Sequence, residues 1–381
     1  MIPSRGPAPR RRGAPTVLAA CVLAICQAAA PAAFAAAEPR PPSERFAFRR
    51  LDTEDGLPGD SVYCMLQDGS GYLWMGTFSG LARYDGSRVV VYRPVPGDPE
   101  SLPSSLVFDM HEDSSGTLWI ATDGGGLARY SRDSDAFERF GHDPDRDDSL
   151  SSDRVFAVAD DPFGWIWVGT ADAGLDRFDV VQGSFVHYGA ESGLPSATVR
   201  SLLCDSAGVV WAGTTAGLAR YDRERDAFAA VPSAGAATVR ALAEDGSGGL
   251  LVGTEGSGAL RIDARSLAAV RLDLGEGSGR LLVRALARDA LGRIWAGTDD
   301  RGLRILDPAT GEAVSVRAAP GSPSGLSHDA VRALLADRSG LMWVGTRGGG
   351  AAAYNPQARS IARASPALGF PPFESRQILE A

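Results

Sequence analysis

A short motif, Trp-x-Gly-Thr, recurs seven times along the 381-residue chain, and its spacing constrains the fold more than any other feature. One copy has Ala in place of Gly and another has Leu in place of Trp. The copies lie about 45 residues apart, a period that indicates a repeat architecture. They are centred on Trp74, Trp119, Trp167, Trp211, Leu251, Trp295 and Trp343.

A longer frame surrounds each motif: Val-x-x-φ-x-x-Asp-x-x-Gly-x-x-Trp-x-Gly-Thr, where φ is apolar. Val and Thr are 15 positions apart in every copy, so all variation in length lies outside the frame. The Val-initiated stretch predicts a strand buried on both faces. Asp-x-x-Gly predicts a tight type I turn, and Trp-x-Gly-Thr predicts the returning strand. A third strand, Gly-Leu-x-Arg-Tyr-Asp in its clearest copies, and a less regular fourth strand follow.

A four-stranded unit of this length is typical of a propeller blade. Each small sheet has two apolar faces, which radial stacking of blades hides from water. A solenoid is disfavoured because no helical periodicity follows the first 37 residues. We therefore predict an all-β fold, a seven-bladed β-propeller of four-stranded antiparallel blades over residues 45–365. Residues 46–51 and residues 360–364 are both candidates for the strand that completes the last sheet.

The first 37 residues predict a cleavable signal peptide. Four arginines precede an Ala-, Val- and Leu-rich run that ends in small-x-small cleavage sites. No later stretch has the roughly 18 apolar residues that a membrane span needs. We expect export to the periplasm or another extracytoplasmic space, with no span beyond the signal peptide. The tail, residues 366–381, has no assigned role and is a candidate start of a downstream region.

The net charge of the chain and its few cysteines and histidines argue against several classes of function. The formal net charge is −9, every basic residue is Arg, and no basic stripe is present, which argues against a nucleic-acid partner. The two cysteines after the signal peptide, Cys64 and Cys204, are expected to be buried, small and apolar rather than disulfide-bonded. The four histidines lack metal-ligand spacing. We predict no catalytic residues, no metal and no cofactor.

The frame closely resembles the two component regulator propeller repeat. Residues 48–58 are similar to the usual start of such a sensor, and residues 148–155 are similar to its inter-blade loop. The resemblance covers residues 46–357 and implies the periplasmic ligand-binding region of a bacterial hybrid histidine kinase or diguanylate cyclase. No kinase or cyclase motif is present in the sequence. A truncated receptor, a fragment and a free-standing binding protein therefore stay open as interpretations.

A ligand site is predicted at one end of the propeller. The loop after Trp-x-Gly-Thr and the inter-blade loop meet there, and variable loops on a rigid scaffold commonly carry binding specificity. We expect a small polar ligand, with a glycan fragment as one candidate. The competing interpretation is that Asp and Gly are there only as turn formers. The candidate residues are Phe78, Asp123, Asp172, Thr215, Glu255, Asp299, Arg347, Asp60, Asp153, Arg154 and His328.

Two other classes of function remain open on the sequence. One is a periplasmic protein-interaction platform, with a homodimer formed through one end of the propeller. The other is a propeller lyase or hydrolase, which is disfavoured because few histidines are available for acid–base work. The leading prediction is a non-enzymatic sensor propeller.

Overall fold

The computed structural model describes residues 46–357 except Pro320 and Pro323, so the predicted signal peptide and tail lie outside the described residues. The described residues form seven four-stranded antiparallel sheets. The first strands are β2 (Val62–Gln67), β6 (Val107–Glu112), β10 (Val155–Asp160), β14 (Val199–Cys204), β18 (Val239–Glu244), β22 (Val283–Arg288) and β26 (Val331–Ala336). The second strands are β3 (Leu73–Thr77), β7 (Leu118–Thr122), β11 (Trp165–Thr170), β15 (Val210–Thr214), β19 (Gly249–Thr254), β23 (Ile294–Thr298) and β27 (Met342–Thr346).

Two further strands complete each sheet. The third strands are β4 (Gly80–Tyr84), β8 (Leu127–Ser131), β12 (Leu175–Asp179), β16 (Gly217–Asp222), β20 (Ala259–Asp263), β24 (Leu303–Leu306) and β28 (Ala351–Tyr354). The fourth strands are β5 (Val89–Tyr92), β9 (Ala136–Phe140), β13 (Ser184–Tyr188), β17 (Ala227–Ala230), β21 (Ala269–Arg271), β25 (Ala313–Val316) and, in blade seven, β1 (Arg49–Leu51). Short 3₁₀ turns cover Thr53–Asp55, Pro232–Ala234 and Ser278–Arg280. No described helix is long and apolar enough to cross a membrane.

The seven sheets close into a ring, as the repeat pattern predicts. Each first strand contacts the first strand of the next blade, and β26 contacts β2. The N-terminal segment closes the ring, because β1 pairs with β28 and supplies the fourth strand of blade seven. Phe46 and Phe48, just before β1, are buried in the core between blades six and seven. Of the two candidates for the closing strand, the N-terminal one is confirmed.

The turn aspartate of the frame joins two parts of its hairpin. In blade one, one oxygen of Asp68 accepts the amides of Ser70 and Tyr72 at 3.0 Å, and the other accepts the indole N–H of Trp74 at 2.8 Å. Gly71 has a φ of +95°, which a residue with a side chain rarely adopts. A buried indole needs such an acceptor. Five other blades repeat this bond; in the Leu251 blade an arginine donates to the turn aspartate instead.

The glycine of Trp-x-Gly-Thr lets successive blades approach each other. A Cβ on Gly76 would lie 2.7 Å from a methyl carbon of Val107 in blade two. A Cβ on Gly345 would lie 2.9 Å from a methyl carbon of Val62, across the closure between blades seven and one. The Val and the Gly of the frame are therefore two halves of one inter-blade contact.

Two expectations about burial need correction. The first strands were expected to be buried on both faces, but alternate residues of β2, β18 and β26 are only half buried. Their half-buried face turns toward the central channel rather than toward another blade. Cys64 is buried, whereas Cys204 is only half buried because it lies near the turn end of β14; both thiols are free.

Arginines of the third strand bind neighbouring blades at the outer side of the sheets. Arg83 of blade one donates to the hydroxyl of Tyr130 in blade two at 2.7 Å and lies 3.5 Å from Asp135. Tyr92 of blade one donates to the same Asp135 at 2.6 Å. We call this group and its copy between blades three and four the outer clamps. The second clamp consists of Arg177, Tyr188, Tyr221 and Asp226. Arg83 and Arg177 therefore join neighbouring blades.

Candidate functional site: the axial ring

The first strand of every blade contains a β-bulge at the same place, directly after the frame valine. The pairing register between first and second strands skips one residue there in all seven blades. A bulge inserts an unpaired residue and re-aims its side chain. Here the seven bulged residues line one cavity on the propeller axis, and we call them the axial ring. They are Tyr63, Phe108, Phe156, Arg200, Arg240, Arg284 and Arg332.

The axial ring has two chemically different halves. Blades one to three contribute aromatic side chains that meet edge to face. The ring centroids of Tyr63 and Phe108 are 5.5 Å apart at 87°, and those of Phe108 and Phe156 are 4.9 Å apart at 84°. Such geometry is favourable beyond simple burial. We call this half the aromatic arc.

Blades four to seven contribute four arginines, the arginine arc. Three of them pair with carboxylates that follow the frame threonine. Arg240 donates to Glu255 at 2.7 and 2.9 Å. Arg284 lies 3.2 Å and Arg332 lies 3.1 Å from the same oxygen of Asp299. Four guanidinium groups against two carboxylates leave an excess of positive charge in an otherwise acidic chain.

Arg200 stands where the two arcs meet. Its guanidinium carbon lies 4.1 Å from the centroid of Phe156, a cation–π contact. Within the part of the chain that the structure describes it has no ion pair, and its buried Nε has no hydrogen-bond partner. Burial, together with the positive charges of Arg240 and Arg284, lowers the pKa of Arg200 to about 10.

Asp299 is stabilised in its charged form by two arginines of the arc. Burial alone would raise the pKa of Asp299, but the charges of Arg284 and Arg332 hold it below its ordinary value. Burial likewise lowers the pKa of Arg332, and the nearby positive charge of Arg284 adds to this effect. The buried Nε of Arg332 lacks a partner too, so this arginine is only partly satisfied by Asp299. The arginine arc therefore consists of four partly buried guanidinium groups with only two paired carboxylates, Glu255 and Asp299, to offset their charge.

Below the axial ring the channel continues between the first strands. Its lining there is mostly small or apolar, with Cys64, Asp109 and Ser201 as polar exceptions. Asp109 accepts the amides of Met110 at 2.9 Å and Val158 at 3.0 Å. Burial nevertheless raises the pKa of Asp109 to about 6.

The backbone brings the predicted rim residues to one end of the propeller. In each blade, the residue after the frame threonine donates its amide to the residue before the frame valine. In blade five, for example, the amide of Glu255 donates to the carbonyl of Thr238 at 2.8 Å. The axial-ring residue lies two positions further along the chain, directly after the frame valine, so the rim residues stand next to the ring.

The predicted site residues divide by what their side chains contact. Arg154 lies 3.0 Å from Asp123 and 3.8 Å from Asp172, so these three charges pair with one another. Glu255 and Asp299 form the ion pairs with the arginine arc described above. Phe78 is 60% exposed and Arg347 is exposed.

Other predicted side chains have structural partners. Asp60 accepts the amide of Thr53, Asp153 accepts the amide of His142, Thr215 bonds to Ser196, and His328 accepts the amide of Ala330. These four therefore shape the rim loops.

The sequence-based prediction missed the axial ring itself. The signal was present, because the position after the frame valine is aromatic in copies one to three and Arg in copies four to seven. In a regular strand that side chain would point between blades, with no reason to reach the axis. Only the bulge turns it inward, and the frame does not encode a bulge in any obvious residue type.

Comparison with known proteins agrees with the repeat analysis. A family model described as two component regulator propeller matches residues 56–79, 101–124, 149–172, 193–216 and 325–348. Five of the seven repeats therefore match the two component regulator propeller model. No curated protein matches the sequence.

Solved structures share the fold at low identity. The extracellular domain of a hybrid two component system from B. thetaiotaomicron is 24% identical with a TM-score of 0.72, over 81% of this chain and 42% of that one. That of a one component system from the same organism is 22% identical with a TM-score of 0.69, over 81% and 40%. This chain thus spans less than half of either domain. Virginiamycin B lyase from Staphylococcus aureus is 13% identical with a TM-score of 0.63, over 81% and 99%.

Proposed function

We propose that this propeller is the ligand-binding part of an extracytoplasmic sensor in a signal-transduction receptor, without catalytic activity of its own, and that its ligand binds at the axial ring. The observation that carries the proposal is the convergence of seven bulged side chains on one axial cavity. The repeat matches and the similar fold of the extracellular domains of two component systems support the sensor role. Concave axial sites fed by many loops are common binding sites.

Export is tested with a reporter. Residues 1–60 of the chain, fused to an alkaline phosphatase that lacks its own signal, should give active enzyme outside the cytoplasm, since that enzyme needs an oxidising compartment. The same fusion with the four N-terminal arginines changed to Glu serves as the control and should stay inactive. An inactive first fusion would contradict the extracytoplasmic location.

Ligand binding is tested by a thermal-shift screen of neutral, anionic and cationic sugars, amino acids and small organic acids. A ligand that binds only the folded state raises the melting temperature. The same compounds are then screened against Phe108→Leu, which keeps an apolar side chain but removes a ring of the aromatic arc. Stabilising compounds should lose their effect in this variant. Compounds that stabilise both proteins equally would place the site elsewhere.

The rim carboxylates form a separate arm of this test. Asp123, Asp172 and Glu255 are each replaced by Ala. The contacts now make Glu255 different from the other two, because it holds Arg240. We expect Glu255→Ala to change ligand affinity, whereas Asp123→Ala and Asp172→Ala act mainly on Arg154 and should change it less.

A protein-interaction platform, including a homodimer, is the second candidate. Three exposed aromatic side chains motivate it, with Phe78 and Phe163 each 60% exposed and Tyr72 37% exposed. Phe78 follows a frame threonine, whereas Phe163 and Tyr72 lie at the Asp-x-x-Gly turns of the opposite end. Because these aromatics are divided between two ends, they do not form one continuous docking face.

A lyase activity ranks third. The similarity to virginiamycin B lyase concerns the fold alone at 13% identity. The axial ring itself offers phenyl, phenol and guanidinium groups, whereas general acid–base catalysis usually employs His, Glu or Asp near neutral pKa. Asp109 in the channel below has such a pKa, but its two oxygens accept the backbone amides of Met110 and Val158.

A further inference from the structure

The arginine arc carries more positive charge than its own carboxylates can match. Arg200 has a buried Nε without a partner, and so has Arg332. A partly buried guanidinium group that lacks an acceptor is costly, and proteins normally supply one. The outer clamps show that this chain can do so, since Arg177 has both a tyrosine and an aspartate as partners. Arginine nitrogens without a partner also occur away from the axis, at Arg50, Arg220, Arg293 and Arg304. At the axis, however, they border a cavity that four guanidinium groups line together, which is where an anion from outside would bind.

The aromatic arc lies opposite the arginine arc in the same cavity. Inorganic anions gain little from such a surface, whereas a flat ring gains both burial and stacking. Guanidinium groups bind carboxylates through two parallel hydrogen bonds, which fixes the orientation of the anion. A molecule with a carboxylate on one side and a ring on the other would contact both arcs at once.

We propose that the axial ring binds a small organic anion that carries a carboxylate next to a six-membered ring, with the carboxylate on Arg200 and the ring against Phe108 and Phe156. The inference rests on the proposed ligand-binding function and specifies its chemistry. The ring belongs either to an aromatic acid or to a sugar acid, because both present an apolar face beside a carboxylate.

Four probes separate charge from shape, each titrated by calorimetry into the full propeller. Benzoate has the carboxylate on an aromatic ring, and glucuronate has it on a sugar ring. Glucose has a ring without charge, and inorganic phosphate has charge without a ring. We expect at least one of the two carboxylates to bind about tenfold or more tightly than both glucose and phosphate. Its affinity should fall with added salt because the contact is ionic.

Variants locate the bound probe. Arg200→Gln should weaken binding of the preferred carboxylate by about tenfold or more, since it removes a charged partner without leaving any carboxylate of the protein unpaired. Arg200→Lys keeps the charge but not the two-pronged geometry and should be intermediate. Arg225→Gln is the matched control, because Arg225 is 78% exposed and, among the described residues, forms an ion pair with Asp222 alone, away from the axial ring. It should leave affinity unchanged.

Each result decides between alternatives. If benzoate binds and glucuronate does not, the ligand is an aromatic acid; the reverse result makes it a sugar acid. Phosphate binding as tightly as both carboxylates would overturn the role of the aromatic arc. Glucose binding as tightly would overturn the role of charge while leaving the proposed sensor function intact, because a neutral ligand would still occupy the ring. No binding by either carboxylate refutes the inference.

Discussion

Arg83 and Arg177, at the outer side of this propeller, differ from Arg200 at its axis in whether the protein supplies their partners. In the outer clamps, Arg83 and Arg177 each reach across to the next blade and find a tyrosine and an aspartate already in place. At the axis, Arg200 has only the face of Phe156 beneath it. An arginine that has hydrogen-bond acceptors within the protein thus stabilises the fold. An arginine without such acceptors is a candidate to contact a ligand. The difference predicts that outer variants change stability, whereas axial variants change binding.

The largest expected effect is at the outer strand of blade seven. Deleting residues 45–52 removes β1 together with the buried Phe46, Phe48 and Leu51. Burying each such side chain contributes roughly 1.5–3 kcal/mol, so we expect a loss of about 5 kcal/mol or more and a collapse of the melting temperature. Differential scanning calorimetry measures this. An unchanged melting temperature would mean that the ring closes without this strand.

An outer clamp should be the next most sensitive place. Asp226 accepts hydrogen bonds from Tyr188, Tyr221 and Arg177. Asp226→Ala leaves these donors without their acceptor, so we expect a loss of about 1–3 kcal/mol in urea unfolding. Affinity for any axial ligand should stay the same. A variant that lost ligand affinity while keeping its stability would reverse the assignment of roles.

Arg200→Gln should affect stability little. Arg200 forms no ion pair within the described residues, and its Nε is unsatisfied. We therefore expect the free energy of unfolding without ligand to stay within about 0.5 kcal/mol of the original protein. Urea unfolding beside Asp226→Ala provides the comparison. A loss as large as that of Asp226→Ala would show that Arg200 is structural after all.

A further expected effect concerns pH and Asp109, deeper in the channel. Its folded pKa of about 6 lies above the ordinary value of 3.8. Between these two values the native state binds more protons than the unfolded chain, so stability falls as pH rises from about 4 to about 6. Asp109→Asn removes this contribution, and its unfolding free energy should fall less over the same window.

A matched variant controls for the general pH dependence of the protein. Asp133 is exposed on an outer loop, and Asp133→Asn should follow the original protein in urea unfolding at each pH. If Asp109→Asn and Asp133→Asn gave the same pH profile, Asp109 would not be the source of the slope.

The sequence predicts the architecture well because the frame is rigid. Its fixed spacing places Asp68, Gly71 and Trp74 in one hairpin, and the structure joins them as the turn chemistry requires. The end at which Glu255 and Asp299 lie was also predictable, since strand order alone decides it.

The arginine partners of Glu255 and Asp299 could not be predicted from the sequence. Arg332 reaches Asp299 from the next blade, so the contact depends on how two sheets are rotated about the axis. A bulge likewise depends on how two strands share their hydrogen bonds, and local residue preferences say little about it. The axial ring could therefore be identified only from the structure, even though each of its seven residues directly follows a frame valine in the sequence.

The pairing of β1 with β28 also determines when the sheet of blade seven can form. Leu51 lies opposite Ala351, so the first strand made must wait for one of the last. Six sheets are complete in sequence before that, while blade one has one side open to water. Contacts so distant along the chain form slowly. We therefore expect the incompletely folded chain to expose unpaired strand edges and apolar surface until β28 is available to β1.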